Sequence, residues 1–347
     1  MSLKNFNDRM LPAIEAELKR IVSRLDEPRT QVFHNMLTYH MGWSGEGAGP
    51  EATGKRIRPL LVLLTFAASS RLSTKNVEEV GTWKSALPAA ACIELIHNFS
   101  LVHDDIQDDS DLRRSRLTVW KKWGIPQAIN VGDALFILAH MVLLETKEKF
   151  SPEKALQAGA IINEACLALS SGQFMDISYE NRNDLFKEDY WPMISGKTAA
   201  LLSACTQVGA ILGNAEESAQ ENYRGFGHYL GLAFQVQDDY LGIWGDSAQT
   251  GKSTDSDLVE GKKSLPVLYG LAKKGPFADR WNKGNIQSNE VDALSEQLAA
   301  EGAKLFTQEA ADQMTDLALQ SLRAAEPQGA AGEALFELAQ MLLSRKA

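Results

Sequence analysis

The sequence predicts an all-α fold, and three observations carry that expectation. Apolar residues recur at helical spacing at 11–25, 57–66, 89–102, 134–144, 155–174, 193–212 and 223–244. No segment alternates apolar and polar residues cleanly enough to be a strand. Several runs, such as 86–102, are apolar or small almost all round, as expected for helices buried inside a bundle.

In chain order, the run at 11–25 is followed by a surface loop at 42–54, which holds five glycines and Pro50. The next six runs are the helices of the core. After 223–244 the chain turns polar and rich in Gly, Ser and Asp from 245 to 261, a composition suited to a flap over a site. Residues 275–290 read as another irregular connection. Beyond them 291–300, 309–325 and 332–344 read as amphipathic packing helices. There is no internal repeat, heptad run or clear linker, so the expectation is one domain spanning 1–347.

Bulk properties exclude some functions. Lys plus Arg number 35 and Asp plus Glu 45, a formal net charge of −10, which argues against nonspecific nucleic-acid binding. Cys92, Cys166 and Cys205 are scattered in apolar helical text and read as buried reduced thiols of a cytoplasmic protein. No signal sequence opens the chain, and the apolar stretch at 134–144 is too short to be a transmembrane segment.

The chemistry lies in two Asp-rich clusters about 130 residues apart. The first runs Asp104-Asp105-Ile106-Gln107-Asp108-Asp109, and the second contains Gln235-Val236-Gln237-Asp238-Asp239. On a helix, Asp104 and Asp108 lie one turn apart on one face. Carboxylates that close repel one another unless cations neutralise them. Mg²⁺ takes oxygen ligands, keeps several waters, and is commonly completed by substrate phosphates. Two such clusters facing each other would hold a magnesium–diphosphate.

Basic and polar residues accompany them. Lys55 and Arg58, three apart, can share one side of a helix start; Arg suits bidentate phosphate contact and Lys a point charge. His97 precedes Asp104 by seven residues, two turns or roughly 10 Å along one face. Arg113 and Arg114 follow the first cluster directly. Gly196-Lys197-Thr198 opens a helical run but lacks the upstream glycine of a nucleotide-binding phosphate loop. Gln235 lies three residues before Asp238, while Lys252 and Lys262 lie in or beside the polar flap region.

With these motifs in this order, the chain resembles the trans-isoprenyl diphosphate synthases, or polyprenyl synthetases. The resemblance runs from about 54 to 271. It rests on Gly-Lys-Arg-Ile-Arg-Pro at 54–59, Glu-Leu-Ile-His at 94–97, the two Asp clusters, Asp-Leu-Arg-Arg at 111–114, Gly-Lys-Thr at 196–198, and the Gly-Lys and Ser-Asp-Leu elements between 251 and 262. It implies a helical bundle of isoprenoid synthase type, with a deep central apolar cavity, usually as a homodimer. It implies condensation of isopentenyl diphosphate with an allylic diphosphate, using about three Mg²⁺ ions. Asp104 and Asp108 are implied to bind two of them with Asp105 in support. Asp238 is implied to bind the third, with Asp239 and Asp257 nearby or acting through water. Arg113, Lys197 and Lys252 are implied to hold the allylic diphosphate. Lys55, Arg58, His97 and Arg114 are implied to hold isopentenyl diphosphate. Thr198 and Gln235 are implied to face the reacting carbons, and Lys262 to belong to the closing flap.

The physics suits that implication. Breaking the allylic C–O bond leaves a carbocation and pyrophosphate, whose charge needs cations around it. A dry helical cavity keeps water from quenching the cation. The departing pyrophosphate can take the final proton, so no catalytic His is required.

The chain departs from the commonest family pattern at Gly242, Leu117, Trp120 and Asp255, where Asp, Pro, His and Gly respectively are frequent. Product length in such enzymes is read just before the first Asp cluster. Phe99, bulky, and Ser100, small, resemble the floor of a geranylgeranyl diphosphate synthase; farnesyl and geranylfarnesyl products stay open. Two other readings are a class I terpene cyclase and an inert regulatory subunit of a heteromeric synthase. Lys55, Arg58 and His97 speak against the first, and the retained Asp pairs against the second.

Overall fold

A computed structural model describes residues 2–70, 82–180, 182–245 and 257–343. Among these residues the chain is helical apart from one two-stranded sheet, as the hydrophobic spacing predicts. It forms two compact units. One comprises Met1–Ile162, Cys205–Gln220 and Pro327–Leu335; the other comprises Asn163–Ala204, Glu221–Glu326 and Phe336–Ala347.

In the first unit, α1 (Leu3–Val22) buries Phe6, Met10, Ile14, Leu18 and Ile21, one stripe of a 3.6-residue repeat. Helix α2 (Gln31–His40) buries Met36, Leu37 and Tyr39; its polar interruptions hide it from a reading of apolar spacing. A four-residue turn, α3 (Pro50–Thr53), leads to α4 (Ile57–Ser69), which is buried on all sides from Pro59 to Ser69. Next come α5 (Leu87–Gln107), a hairpin of β1 (Leu112–Arg113) and β2 (Arg116–Leu117), α6 (Val119–Trp123) and α7 (Ile125–Leu143). Helix α5 lies along α7 and also contacts α4 and α1, so the core of this unit surrounds the helix that carries the first Asp cluster.

Two stretches, Trp83–Gln107 and Ile125–Glu148, are long and apolar enough to cross a membrane by length and composition. They extend beyond the 134–144 run of the sequence reading, and buried core helices have the same length and composition. Within α5 the apolar run is interrupted by the buried polar pair Glu94 and Asn98.

Helix α8 (Pro152–Glu180) precedes α9 (Lys187–Ile194), which continues through one π-helical turn, Ser195–Ala199, into α10 (Ala200–Leu212). Gly196-Lys197-Thr198 therefore lies within a continuous helical rod instead of opening one. A widened turn pushes its backbone and side chains outward, and such turns recur at functional sites. Helix α11 (Glu217–Trp244) carries the second Asp cluster. It is followed by α12 (Leu265–Lys273), α13 (Pro276–Trp281), α14 (Val291–Ala300), α15 (Ala303–Ala324) and α16 (Gly329–Leu343). The second unit has one core around Tyr190, Met193, Leu232, Val236 and Leu268, and another around Ile243, Val267, Phe277 and Leu298.

Candidate active site

In the first unit the Gly-Lys-Arg-Ile-Arg-Pro segment sends its three cations to different fates. Lys55 is exposed. Arg56 is buried and left-handed, with φ 49°, and donates to Glu94 at 2.7 Å and to Glu15 at 2.6 Å. It is a structural cation that the sequence reading did not single out. Arg58 lies 3.1 Å from His97 Nε2 across α4 and α5. Burial, with the charge of Arg58, holds the His97 imidazole well below its ordinary pKa, so it is neutral. Arg58 Nε is buried with no hydrogen-bond partner, so its guanidinium retains donor capacity.

Arg114 joins this group from the hairpin. Its guanidinium lies across Gly54, where a β-carbon would stand 2.6 Å from Nη2, and it donates to the Ala52 carbonyl at 2.8 Å. Gly54 also has φ +78°, so the position needs glycine for both space and conformation. Thus Arg58, His97 and Arg114 come together near the Gly54 turn. His40 lies near the same arginines. Burial and then the Arg113 charge push its pKa down to about 3, and its Nε2 has no partner. Tyr39, His40, Asp105, Arg113, Arg114 and Arg116 line a small pocket.

The hairpin that presents Arg113 and Arg114 is strained. Arg114 and Ser115 both have positive φ, 52° and 59°, as a two-residue hairpin turn requires, yet neither is glycine. Arg116, also absent from the sequence reading, pins it. Its guanidinium donates to the carbonyls of Glu46, Tyr39 and Ser44 at 2.9, 2.7 and 2.7 Å and lies over the Tyr39 ring. Trp120, where His is frequent, donates its indole N–H to Ser110 O at 2.9 Å and closes the loop.

The first Asp cluster divides by face. Asp104 is half-buried and Asp108 exposed, with the Asp108 N–H donating to Asp104 O at 2.8 Å. Both lie in the last turn and cap of α5, the negative end of its dipole, where a carboxylate is disfavoured without a cation. Asp105 points the other way. It is 2 % exposed and accepts from Arg113 Nε at 2.7 Å. Burial pushes its pKa up to about 6. Its observed role is to orient Arg113.

The second cluster, described within its own unit, repeats the division. Asp238 is half-buried. Asp239 is 6 % exposed; it accepts from Tyr190 Oη at 2.6 Å, Leu265 N at 3.0 Å and Gln235 Nε2 at 3.0 Å. Burial, with the nearby Asp257 carboxylate, pushes it up to about 7. Gln235 in turn accepts from Thr198 Oγ1 at 2.8 Å. A single chain of hydrogen bonds therefore runs from Tyr190 to the π-helical turn. Lys197 in that turn pairs with Asp176. Lys262 is exposed and sits 2.5 Å from Glu260 and 3.9 Å from Asp257. Lys252 lies outside the described residues. Tyr190 and Asp176 have no sequence signal beyond being polar groups in helical runs, whereas Glu94 opens the Glu-Leu-Ile-His motif.

Among the described residues no three His, Cys, Asp or Glu side chains come together as a ready-made metal site. The donor set nonetheless fits Mg²⁺, which is often held by one or two carboxylates and completed by substrate phosphates and water. Phe99 stacks edge-on against Phe136 (4.9 Å between centroids) and His103 (5.5 Å), while Ser100 donates to His97 O at 2.9 Å.

Comparison with known proteins adds an independent line. Residues 49–300 match the family model described as polyprenyl synthetase. A (2E,6E)-farnesyl diphosphate synthase of Mycobacterium tuberculosis strain H37Rv is 38% identical over 301 residues, covering 84% of this chain and 79% of the relative. A geranylgeranyl diphosphate synthase of the same strain is 32% identical over 344 residues, covering 97% and 93%. Among solved structures, a polyprenyl synthetase from Streptomyces coelicolor A3(2) superposes with TM-score 0.84 and 34% identity, covering 98% of this chain and 99% of that one.

Proposed function

Because the chain belongs to the polyprenyl synthetase family and is a trans-prenyltransferase, we propose that it condenses isopentenyl diphosphate with an allylic diphosphate, acting as a single catalytic domain, to make geranylgeranyl diphosphate. The observation that carries this reading is the Arg58–His97–Arg114 group beside Lys55. It is a cationic place for a diphosphate that needs no metal, in the same unit as Asp104 and Asp108. A cyclase, which uses one diphosphate, has no use for it.

Bound Mg²⁺ supplies Lewis-acid stabilisation of the charge that develops on the departing pyrophosphate. The chain's own residues do the rest. Asp104, Asp108 and Asp238 offer carboxylates toward the metal–diphosphate, and Asp105 holds Arg113 toward it. Arg113, Lys197 and Lys252 hold the allylic diphosphate; Lys55, Arg58, His97 and Arg114 hold isopentenyl diphosphate. Thr198 and Gln235 present hydroxyl and amide dipoles to the reacting carbons, with Asp239 and Tyr190 fixing their orientation. The allylic C–O bond breaks, the double bond of isopentenyl diphosphate closes the new C–C bond, and a proton leaves to pyrophosphate.

The Phe99 ring, backed by Phe136, supports a floor for a twenty-carbon tail. The farnesyl product remains a second reading, favoured by the 38% identity to a farnesyl diphosphate synthase. The exposed apolar side of α7, with Ile129, Ile137 and Met141 all above 40 % exposure, supports a homodimer in the cytoplasm that covers this face with a second copy and not with a membrane. Steady-state kinetics tests the assignment. Arg58→Ala or His97→Ala should raise KM for isopentenyl diphosphate more than for the allylic substrate; equal effects on both contradict it.

A further inference from the structure

The small pocket at the β1–β2 hairpin holds two polar atoms that nothing satisfies. Most polar groups on its wall are already paired. Tyr39 Oη donates to Leu117 O at 2.9 Å, and Thr118 Oγ1 to Ser110 O at 2.9 Å. The Arg116 guanidinium serves three carbonyls. Asp105 Oδ1 takes the Arg113 Nε–H, but Asp105 Oδ2 is buried with no partner. His40 Nε2, on the same pocket, is also buried with no partner.

The hydrogen bonding of His40 decides what its free nitrogen can do. Burial and the Arg113, Arg114 and Arg56 charges keep the ring neutral. Its bond with the Asn98 backbone favours the protonated ring, so a ring N–H donates to that carbonyl. With Nε2 unpartnered, the donor is Nδ1, and Nε2 carries a lone pair. Asp105 Oδ2 is a carboxylate oxygen and likewise accepts. Two buried acceptors cannot satisfy one another, and each is costly if left unmet. A molecule with two O–H donors serves both. The pocket has room for about one water, and its arginines offer N–H donors to the lone pairs of that water.

We propose that one ordered water bridges His40 Nε2 and Asp105 Oδ2, which makes His40 a positioning residue: it steadies the Asp105 carboxylate, and Asp105 holds Arg113 toward the allylic diphosphate. This rests on the prenyl-transfer reading and extends it to a residue outside the motifs that carry that reading. His40 acts through the water and the carboxylate, not on a diphosphate directly.

Two measurements on the full chain test this. A wild-type crystal structure fine enough to place ordered water should show one within about 3.2 Å of both atoms. A direct His40–Asp105 contact, or no water between them, overturns the proposal. This measurement needs no variant, so it stands even if a substitution prevents folding. The second is a double-mutant cycle in steady-state kinetics. His40→Leu should raise KM for the allylic diphosphate by about tenfold and leave KM for isopentenyl diphosphate within about twofold. His40→Gln, whose amide oxygen reaches near the place of Nε2, should bring the allylic KM back to within about threefold of wild type. In an Asp105→Asn background, His40→Leu should add less than about twofold. Equal rises for both substrates, or fully additive effects of the two substitutions, overturn the proposal. A wild type that elongates no primer removes the prenyl-transfer reading instead, and the crystallographic result is independent of that outcome.

Discussion

In both Asp pairs the two carboxylates part ways, and their partners say why. Asp104 and Asp238 stay partly accessible, while Asp105 and Asp239 turn inward to Arg113 and to Tyr190, Gln235 and Leu265. Asp104→Ala should therefore cut kcat by about a hundredfold or more, as loss of a group that stabilises transition-state charge does. Asp105→Asn should act chiefly through Arg113, raising KM for the allylic diphosphate by about tenfold; a kcat loss equal to that of Asp104→Ala would contradict the division. Phe99→Ala should lengthen the product, and an unchanged product would make Phe99 ordinary core. His40 sets an acid limit. Its pKa is about 3 in the fold against 6.5 for a free imidazole, so the unfolded chain takes the proton first. The stability it contributes is intact above pH 6.5 and is lost as pH falls toward 3, on the order of 5 kcal/mol in total. His40→Gln should flatten that part of the Tm–pH curve. At this scale the accessible aspartates, Arg58 and His97 were legible from spacing alone. Arg56, His40 and Tyr190 were not, because burial and partner choice are tertiary facts.

The elements exist to hold these groups at fixed angles. The start of α4 is joined to α5 by the Arg56–Glu94 ion pair, both side chains nearly inaccessible, and within α5 Asn98 Nδ2 donates to the same Glu94 Oε1 at 3.0 Å. Removing Glu94 leaves the buried Arg56 guanidinium with Glu15 as its one carboxylate partner among the ion pairs observed. Glu94→Ala should cost about 3–5 kcal/mol by chemical denaturation; a loss under 1 kcal/mol would mean that Arg56 finds water. The hairpin depends on Arg116 in the same way. Arg116→Ala leaves three carbonyls without their donor and should loosen Arg113 and Arg114 together, raising KM for both diphosphates. The long helices were legible because an apolar stripe repeats over many turns. The π-helical turn at Ser195–Ala199 and the two-residue strands were not. One depends on a single extra residue per turn, the other on a hairpin held by side chains far away in sequence. Helix α12 was hidden because a nine-residue apolar run can be helix or strand until its neighbours are known.

At the scale of the whole molecule, the proposed reaction asks an acidic protein with a net charge of −10 to hold two anionic substrates, which calls for cations concentrated locally and for metal. The all-α architecture and the family were legible in the order of the motifs, and the family match over residues 49–300 agrees. Product length depends on the shape of an apolar volume, to which side chains from several helices contribute, and a single residue such as Phe99 reports on only part of it. The homodimer expectation is checked by light scattering, which should give twice the 38.1 kDa chain mass. The central claim is head-to-tail elongation of an allylic primer. The direct measurement is incubation with Mg²⁺, isopentenyl diphosphate and, separately, dimethylallyl, geranyl and farnesyl diphosphates, followed by dephosphorylation and sizing of the alcohols. The account predicts a dominant twenty-carbon linear alcohol from every primer. A fifteen-carbon product would keep the reaction and move the cavity floor, whereas a cyclic hydrocarbon, or no elongation from any primer, would contradict the account.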